Sequence, residues 1–243
     1  MNFFIKAFFI FRNITNSFCP TQPLPMFRPT LPGLPDLTVN SIFCIGRNYI
    51  EHAKELDNPV PKSPVVFAKP ASSLIFDNDS IIIPEQTKDV HHEVEMVVAI
   101  GKTGKQISKD SAFEYVAGYA IGIDVTARDI QSRLKEKSHP WDIAKGIDTF
   151  APLGNFVPAD QVSNSIPFHL SLTRNGQAVQ SGTTSDMIFN TEHLIHHLSN
   201  YFTLNPGDLI FTGTPKGVGP ITGGDTLHAQ LNQDLSTLTV SVR

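Results

Sequence analysis

Two glutamates one residue apart could bind a metal ion. Glu93 and Glu95 stand at the start of an apolar run, HEVEMVVAI. Side chains alternate along a strand, so both carboxylates are predicted on one face. Two anions on a mostly buried strand repel each other and lose hydration, and a divalent cation is the simplest compensation. A third carboxylate, Asp124, ends another apolar run, YAIGI. Three oxygen ligands predict a hard ion such as Mg²⁺ or Mn²⁺. The alternative interpretation is a solvated strand face.

A histidine and a glutamate three residues apart could activate a water molecule. His52 and Glu55 share one face of a short helix predicted over residues 49–56. A carboxylate beside an imidazole orients the ring and raises its basicity. The alternative is a surface ion pair on an amphipathic helix.

Four further residues could contact an anionic substrate. Arg128 and Gln131 follow Asp124 within one strand-to-helix junction, where a helix N-terminus and a guanidinium favour a carboxylate. Lys145 lies near the only tryptophan, where its ammonium could hold an anionic oxygen or extend to water. Thr214 lies in the loop TGTPKGVG, which lacks the Walker spacing but could present amides and a hydroxyl to a carboxylate. An ordinary cap or turn is the alternative.

The elements that must position these residues indicate an α+β fold. Short strands outnumber helices, the hairpin signal Asn175-Gly176 is strong, and regular strand–helix alternation is missing. We therefore predict a large mixed or antiparallel sheet with few helices. Helices are predicted over 49–56, 109–116 and 191–201, and a capping box at 126–129 predicts a further helix that ends near residue 137.

Composition excludes several classes of function. The chain has 243 residues, 40% of them hydrophobic and only 17% charged, which indicates extensive buried surface, in part between subunits. The net charge is −4 and no basic block occurs, so neither nucleic acid nor an anionic membrane is an expected partner. Cys19 and Cys44 cannot form a disulfide framework. His193 and His197 are a weak zinc candidate, because no third ligand is evident.

Residues 1–38 are predicted to be an extension outside the fold, with one catalytic domain over 39–243. The initial run MNFFIKAFFIF is too short to span a bilayer and has no clear cleavage site. Six prolines between residues 20 and 35 exclude a helix. No acidic residue precedes Asp36, so a cytoplasmic location is expected unless the segment is a mitochondrial transit peptide. Translation from Met26 is a further possibility.

Seven motifs occur in the order that characterises one family. Over about residues 39–243 the chain resembles the fumarylacetoacetate hydrolase family, and within it the acylpyruvase and oxaloacetate decarboxylase branch. The motifs are Gly46-Arg47-Asn48-Tyr49, His52 with Glu55, Phe67-x-Lys69-Pro70, His92-Glu93-x-Glu95, Asp124-x-Thr126-x-Arg128-Asp129-x-Gln131, Trp141-x-x-x-Lys145 and Thr212-Gly213-Thr214-Pro215-x-Gly217-Val218-Gly219.

The resemblance implies a fold and a set of site residues. The fold would be a mixed β-roll of the family's C-terminal domain type, commonly a homodimer. His52 and Glu55 would lie on a lid helix that orders when substrate binds. The other implied residues are the Mg²⁺ or Mn²⁺ ligands Glu93, Glu95 and Asp124, the pocket residue Lys145, and the substrate contacts Arg128, Gln131 and Thr214.

The implied reaction is hydrolysis of the C–C bond of a 3-acylpyruvate, a small 2-oxo acid. The His52–Glu55 pair would deprotonate a water that attacks the distal carbonyl, and a pyruvate enolate stabilised by the metal and Lys145 would leave. Decarboxylation or tautomerisation of oxaloacetate needs the same enolate, so one site could support all three reactions. Two alternatives stay open: an isomerase or decarboxylase of longer dicarboxylates from aromatic degradation, and a non-catalytic 2-oxo-acid-binding protein.

Overall fold

Strands dominate the computed structural model, which describes residues 29–55, 59–163 and 167–243. The strands are β1 Thr30–Leu31, β2 Leu34–Thr38, β3 Ile42–Gly46, β4 Val65–Lys69, β5 Leu74–Ile75, β6 Ser80–Ile81, β7 Val90–His92, β8 Val94–Ile100, β9 Val116–Ile123, β10 Thr126–Ala127, β11 Ala151–Pro152, β12 Val157–Pro158, β13 His169–Arg174, β14 Gln177–Thr183, β15 Leu209–Phe211, β16 Gly219–Ile221, β17 Thr226–Leu231 and β18 Ser236–Val242. The helices are α1 Ile50–Glu55, α2 Arg128–Glu136, α3 Asp142–Lys145 and α4 Thr191–Tyr201, and 3₁₀ turns occur at Ala71–Ser73, Lys109–Tyr115, Ala159–Gln161 and Thr184–Asp186.

The predicted α+β class with few helices is confirmed. Among these described helices, none is long and apolar enough to cross a membrane.

Three sheets surround the candidate site. A six-stranded sheet has the order β12-β9-β8-β15-β3-β4, a five-stranded sheet the order β14-β13-β17-β18-β6, and a small sheet the order β10-β7-β16. β15 pairs with β3, and β18 with β6, in parallel, whereas β8 pairs antiparallel with both β9 and β15. The sheets are therefore mixed, as predicted.

Strand β8 is buried on both faces because an apolar cluster covers each face of the six-stranded sheet around it. Met96 and Val98 point into the main core, which includes apolar side chains of the five-stranded sheet and of α4. Val97 and Ala99 point into a second cluster on the opposite face. Glu95 alternates with Met96 and so lies on the side of this second cluster. A carboxylate there is cut off from water on either face of the sheet.

Part of the predicted N-terminal extension belongs to the fold. β1 and β2 form an antiparallel hairpin, and Leu31 is buried in the second apolar cluster. The backbone N–H of Phe156 donates to the Pro32 carbonyl oxygen at 2.8 Å. Prolines exclude a helix but not an extended chain, whose carbonyl groups still accept hydrogen bonds. The prediction for residues 1–38 therefore does not hold for residues 29–38, and residues 1–28 lie outside the described residues.

Gly122 provides the space that the packing beside Glu95 requires. It is the register partner of Glu95 on β9. A Cβ at Gly122 would lie 2.8 Å from both Phe211 Cε1 and Val97 Cγ2, which is closer than packed carbon atoms approach. The close contact of β8, β9 and β15 therefore depends on a residue without a side chain.

Gly122→Ala is expected to lower the free energy of unfolding by about 1–3 kcal/mol, because the added methyl group overpacks the core. Urea denaturation of the metal-free protein measures this change. Gly223→Ala is the matched control, since the nearest atom to a Cβ there is 3.9 Å away, and it should alter stability by less than about 0.5 kcal/mol. Equal effects of the two substitutions would contradict this account of Gly122.

Candidate metal centre and active site

Glu93 lies where the chain passes from one sheet to another. β7 ends at His92 in the small sheet, and β8 begins at Val94 in the six-stranded sheet. The Val94 N–H donates to the Gln180 side chain at 3.0 Å, and the Glu93 carbonyl accepts from the Asp124 N–H at 2.8 Å. The prediction of one continuous strand through both glutamates is wrong, because Gln180 takes the place of a strand partner at this point.

The three predicted ligands nevertheless come together. Oxygen atoms of Glu93, Glu95 and Asp124 lie within 4.8 Å of one another, and all three residues are buried. Within the described part of the chain this is the one group of three or more potential ligands, so His193 and His197 gain no third partner. Three hard oxygen donors at this spacing suit Mg²⁺ or Mn²⁺. Metal binding itself stays a prediction.

Two cations neutralise Glu93. Lys145 Nζ lies 2.9 Å from Glu93 Oε2 and 2.5 Å from Asp124 Oδ2, and Arg128 forms an ion pair with Glu93 Oε1. Burial alone would raise the pKa of Glu93, but the charges of Lys145 and Arg128 hold that pKa well below its usual range. Burial alone would lower the pKa of Lys145, and the charges of Asp124 and Glu93 raise it instead. Both partners therefore stay ionised.

Lys69 also belongs to the site, although the sequence predicted no role for it. Its buried ammonium lies 2.8 Å from Asp124 Oδ1 and donates to the carbonyl oxygens of Phe150 at 2.8 Å and Val125 at 3.2 Å, and also to that of Lys145. It therefore connects Asp124 to the segment that carries Lys145. Asp124 Oδ1 is buried against the ammonium of Lys69, and no other donor of the described residues forms a hydrogen bond with it.

Glu95 is the carboxylate without a cationic partner. Its Oε2 accepts a hydrogen bond of 2.8 Å from the N–H of Gly213, a residue whose φ of 99° favours glycine. No Lys, Arg or His of the described residues forms an ion pair with it. Burial, followed by the charges of Asp124 and Glu93, raises the pKa of Glu95 well above its usual range. A divalent cation would supply the missing positive charge, so the donor set fits such an ion.

The predicted water-activating pair faces this triad. His52 is buried on α1, and its Nδ1 lies 3.2 Å from Glu55 Oε2. Glu55 Oε1 accepts from the Gly217 N–H at 2.9 Å, which connects α1 to the glycine-rich loop. His52 is close enough to Glu93 to lower the pKa of that carboxyl. A surface ion pair does not fit a buried imidazole, and the geometry suits a base held by its Nδ1.

The residues at the start of α2 do not form the predicted capping box. Ala127 is the N-cap and has no capping side chain. Thr126 Oγ1 donates to Glu93 Oε1 at 3.2 Å, while Asp129 accepts from Thr87 Oγ1 at 2.5 Å. The prediction of a capping box is therefore wrong, because the side chains of Thr126 and Asp129 have hydrogen-bond partners outside the helix.

The predicted substrate contacts lie on two sides of the triad. Arg128 Nη1 donates to Gln131 Oε1 at 2.7 Å, so these two residues act as one unit beside Glu93. Thr214 is buried, and its Oγ1 accepts from Gln180 Nε2 at 2.9 Å. The structure places all three near the site, and their contact with substrate stays a prediction.

Gln180 is a second residue of the site for which the sequence predicted no role. It is only 3% exposed and uses both ends of its amide. Its Oε1 accepts from the Val94 N–H and lies 2.9 Å from His92 Nδ1, and its Nε2 donates to Thr214 Oγ1 and, at 3.0 Å, to the Pro215 carbonyl. Gln180 thereby fixes Glu93 relative to Thr214. The polar sequence of β14 gives no signal of this role.

Comparison with known proteins identifies the family of this chain. The model of the fumarylacetoacetate hydrolase C-terminal family matches residues 41–243. The chain belongs to the fumarylacetoacetate hydrolase family. Mitochondrial oxaloacetate decarboxylase of Dictyostelium discoideum is 46% identical over 191 residues, which cover 78% of this chain and 88% of that protein. Mitochondrial oxaloacetate tautomerase FAHD1 of Arabidopsis thaliana is 44% identical over 188 residues, 77% of this chain and 84% of that protein.

A solved structure has a fold similar to that of nearly all of this chain. The crystal structure of fumarylpyruvate hydrolase from Pseudomonas aeruginosa, in complex with Mn²⁺ and pyruvate, superposes with a TM-score of 0.84 at 37% identity. The match covers 93% of this chain and 98% of the P. aeruginosa chain. The resemblance inferred from the motifs is thus confirmed, and the named relatives in this family are enzymes.

Glu95→Gln is expected to show whether Glu95 is a metal ligand or a residue that only stabilises the fold. The substitution keeps an acceptor for Gly213 and removes a carboxyl group whose ionisation burial disfavours, so it should raise the free energy of unfolding of the metal-free protein by about 1 kcal/mol at a pH where the unfolded chain ionises this group. It should also weaken Mn²⁺ binding at least about tenfold. Urea denaturation and isothermal titration measure the two effects. Glu93→Gln is the control, since it breaks ion pairs and should lower stability. Reduced stability together with unchanged Mn²⁺ affinity in Glu95→Gln would contradict the assignment.

Proposed function

We propose that this protein is a Mg²⁺- or Mn²⁺-dependent enzyme acting on small 2-oxo acids. It would hydrolyse the C–C bond of 3-acylpyruvates and would decarboxylate or tautomerise oxaloacetate at the same site. The observation that carries the proposal is a buried carboxylate triad facing the His52–Glu55 pair. The relatives are named as a decarboxylase, a tautomerase and a hydrolase, which supports this set of reactions.

The charges of the site favour an anionic substrate. Three carboxylates are balanced by the three cations Lys69, Lys145 and Arg128. Glu93, Glu95 and Asp124 would hold the divalent ion, which when bound would polarise the carbonyl of the substrate and stabilise negative charge on its oxygen. The loaded site would then carry a net charge of about +2, which favours a dianionic oxo acid.

Hydrolysis would use His52 as a general base. Its Nδ1 is engaged by Glu55, so Nε2 is the nitrogen that would take a proton from water as the water attacks the distal carbonyl. Cleavage of the C–C bond would leave the electron pair on the pyruvate part as an enolate. The ammonium of Lys145 would stabilise the enolate oxygen, and the proton held by His52 would complete the product. Arg128, Gln131 and Thr214 would orient the carboxylate.

Decarboxylation and tautomerisation would need fewer of these groups. Loss of carbon dioxide from oxaloacetate leaves the same enolate without an attacking water, and tautomerisation only moves a proton between carbon and oxygen. His52 would be required as a water-activating base in hydrolysis alone. This difference makes the role of His52 testable.

Two further properties follow as proposals from the family. We propose a homodimer, which the exposed apolar side chains of Ile143, Tyr201 and Phe202 support, and light scattering at several concentrations tests it. The D. discoideum and A. thaliana relatives are named as mitochondrial, which supports the mitochondrial alternative to a cytoplasmic location.

Purified protein is expected to release pyruvate from acetylpyruvate only with Mg²⁺ or Mn²⁺. Oxaloacetate should give pyruvate or interconvert between enol and keto forms above the rate of metal alone. EDTA should abolish each activity and added Mn²⁺ should restore it, because the triad supplies no positive charge by itself. Turnover that persists in EDTA would contradict the proposal, and so would metal binding without turnover of either compound.

His52→Ala is expected to lower kcat for acetylpyruvate hydrolysis by about 100-fold or more, since a positioned base contributes that much. Its effect on oxaloacetate decarboxylation should be at least about tenfold smaller, because that reaction needs no activated water. Lys54→Ala on the same helix is the control, as its exposed side chain pairs only with Glu51. Equal losses in both reactions of His52→Ala would count against a water-activating base.

A further inference from the structure

The side-chain amide of Gln180 can have only one orientation. The Val94 N–H can only donate, so the Gln180 atom 3.0 Å from it is the carbonyl oxygen Oε1. The Pro215 carbonyl can only accept, so the Gln180 atom 3.0 Å from it is the nitrogen Nε2. The two assignments agree. They also make Nδ1 of His92, which lies 2.9 Å from Oε1, the protonated nitrogen of that ring.

This orientation decides what the Thr214 hydroxyl can do. Nε2 of Gln180 is a donor, so Thr214 Oγ1 accepts its hydrogen bond of 2.9 Å, and the hydroxyl proton must point elsewhere. Among the described residues its one acceptor is the Pro215 carbonyl at 3.4 Å, which is long for an O–H donor and already accepts from Nε2. The Thr214 hydroxyl is therefore a buried donor with a poor acceptor inside the chain.

Backbone packing holds the loop that carries Thr214 against β14. A Cβ at Gly217 would lie 2.4 Å from the Val179 carbonyl oxygen, and a Cβ at Gly182 would lie 2.5 Å from Pro215 Cβ. Neither position has room for a side chain, and Gly217 also has a φ of 99°, which favours glycine. The loop and the strand are thus in direct contact on both sides of Gln180.

The Gln180 amide connects two parts of the candidate metal centre. At its Oε1 end it contacts Val94, which lies between Glu93 and Glu95 in the chain. At its Nε2 end it contacts Thr214, the residue after Gly213, whose N–H donates to Glu95 at 2.8 Å. A ligand bound at the triad would therefore present its oxygen atoms close to the Thr214 hydroxyl.

We propose that Gln180 is a positioning residue that makes the Thr214 hydroxyl a hydrogen-bond donor to a carboxylate oxygen of the substrate. Donation from Nε2 occupies Oγ1 as an acceptor and polarises the O–H bond, which strengthens its donation to a further acceptor. This inference rests on the proposed function, in which Thr214 helps to orient the substrate carboxylate. It adds the direction of the hydrogen bond and the residue that sets it.

Pyruvate affinity of the Mn²⁺-loaded protein, measured by isothermal titration, tests the role of the hydroxyl. Thr214→Val keeps the shape of the side chain without the hydroxyl and should weaken pyruvate binding about tenfold, the order expected for a lost hydrogen bond to a charged group. Thr214→Ser keeps the hydroxyl and should stay within about threefold of wild type. Wild-type affinity in Thr214→Val would overturn the inference.

Gln180→Glu tests whether Gln180 acts through Thr214. The substitution keeps an oxygen for the Val94 N–H but replaces Nε2 by an oxygen, toward which the Thr214 proton would turn. It should weaken pyruvate binding about tenfold in wild type and less than about threefold in Thr214→Val, which has no hydroxyl to turn. Gln177→Glu, at an exposed position of the same strand, is the matched control and should leave the affinity unchanged.

The comparison of the two backgrounds also separates positioning from a general structural effect. A change of charge or of packing at Gln180 would weaken pyruvate binding by the same factor in wild type and in Thr214→Val. Equal losses in the two backgrounds would therefore overturn the inference. A difference between them would support it.

Turnover separates this inference from the proposed function. A difference between the two backgrounds, in a protein that turns over neither acetylpyruvate nor oxaloacetate, would refute the proposed function and leave the role of Gln180 standing. Turnover together with equal losses would overturn the role of Gln180 alone. In an active enzyme, Gln180→Glu should raise KM for acetylpyruvate more than it lowers kcat, because it weakens binding rather than chemistry.

Discussion

Three carboxylates buried within 4.8 Å of one another create an electrostatic repulsion that the rest of the site must offset. Lys145 and Arg128 neutralise Glu93, and Lys69 approaches Asp124 while holding three backbone carbonyls. Glu95 receives only one backbone N–H. Burial and the neighbouring carboxylates therefore raise the pKa of Glu95, and a divalent cation at the triad would favour its ionised form. The metal-binding hypothesis therefore follows from the distribution of charge as well as from the types of ligand.

The fold places the three carboxylates, and the loop that contacts Glu95, at or near the ends of strands. Glu93 lies between two strands of different sheets, Asp124 follows β9, and the Gly213 loop follows β15. The short helix α1 adds His52 and Glu55 from the opposite side and is connected to the loop through Gly217. One enolate-forming site of this kind would support the several reactions proposed for the protein.

The parts of the site that follow local rules could be predicted from the sequence. Alternation along a strand and helical spacing indicated the glutamate pair and the His52–Glu55 pair, and the order of motifs indicated the family. Gln180 and Lys69 could not be assigned a role, because their partners lie up to 88 residues away along the chain. The capping box failed for a related reason, since long-range partners of Thr126 and Asp129 outweighed a local preference. The break at Glu93 likewise depends on a distant side chain.

The most direct test is a crystal structure of the protein grown with Mn²⁺, with the ion located by its anomalous scattering. The account predicts one strong peak bonded to an oxygen of each of Glu93, Glu95 and Asp124, with open coordination positions on the side of His52. A peak at other residues would contradict the central claim. So would a triad that keeps its ion pairs and binds no ion at a saturating concentration of Mn²⁺.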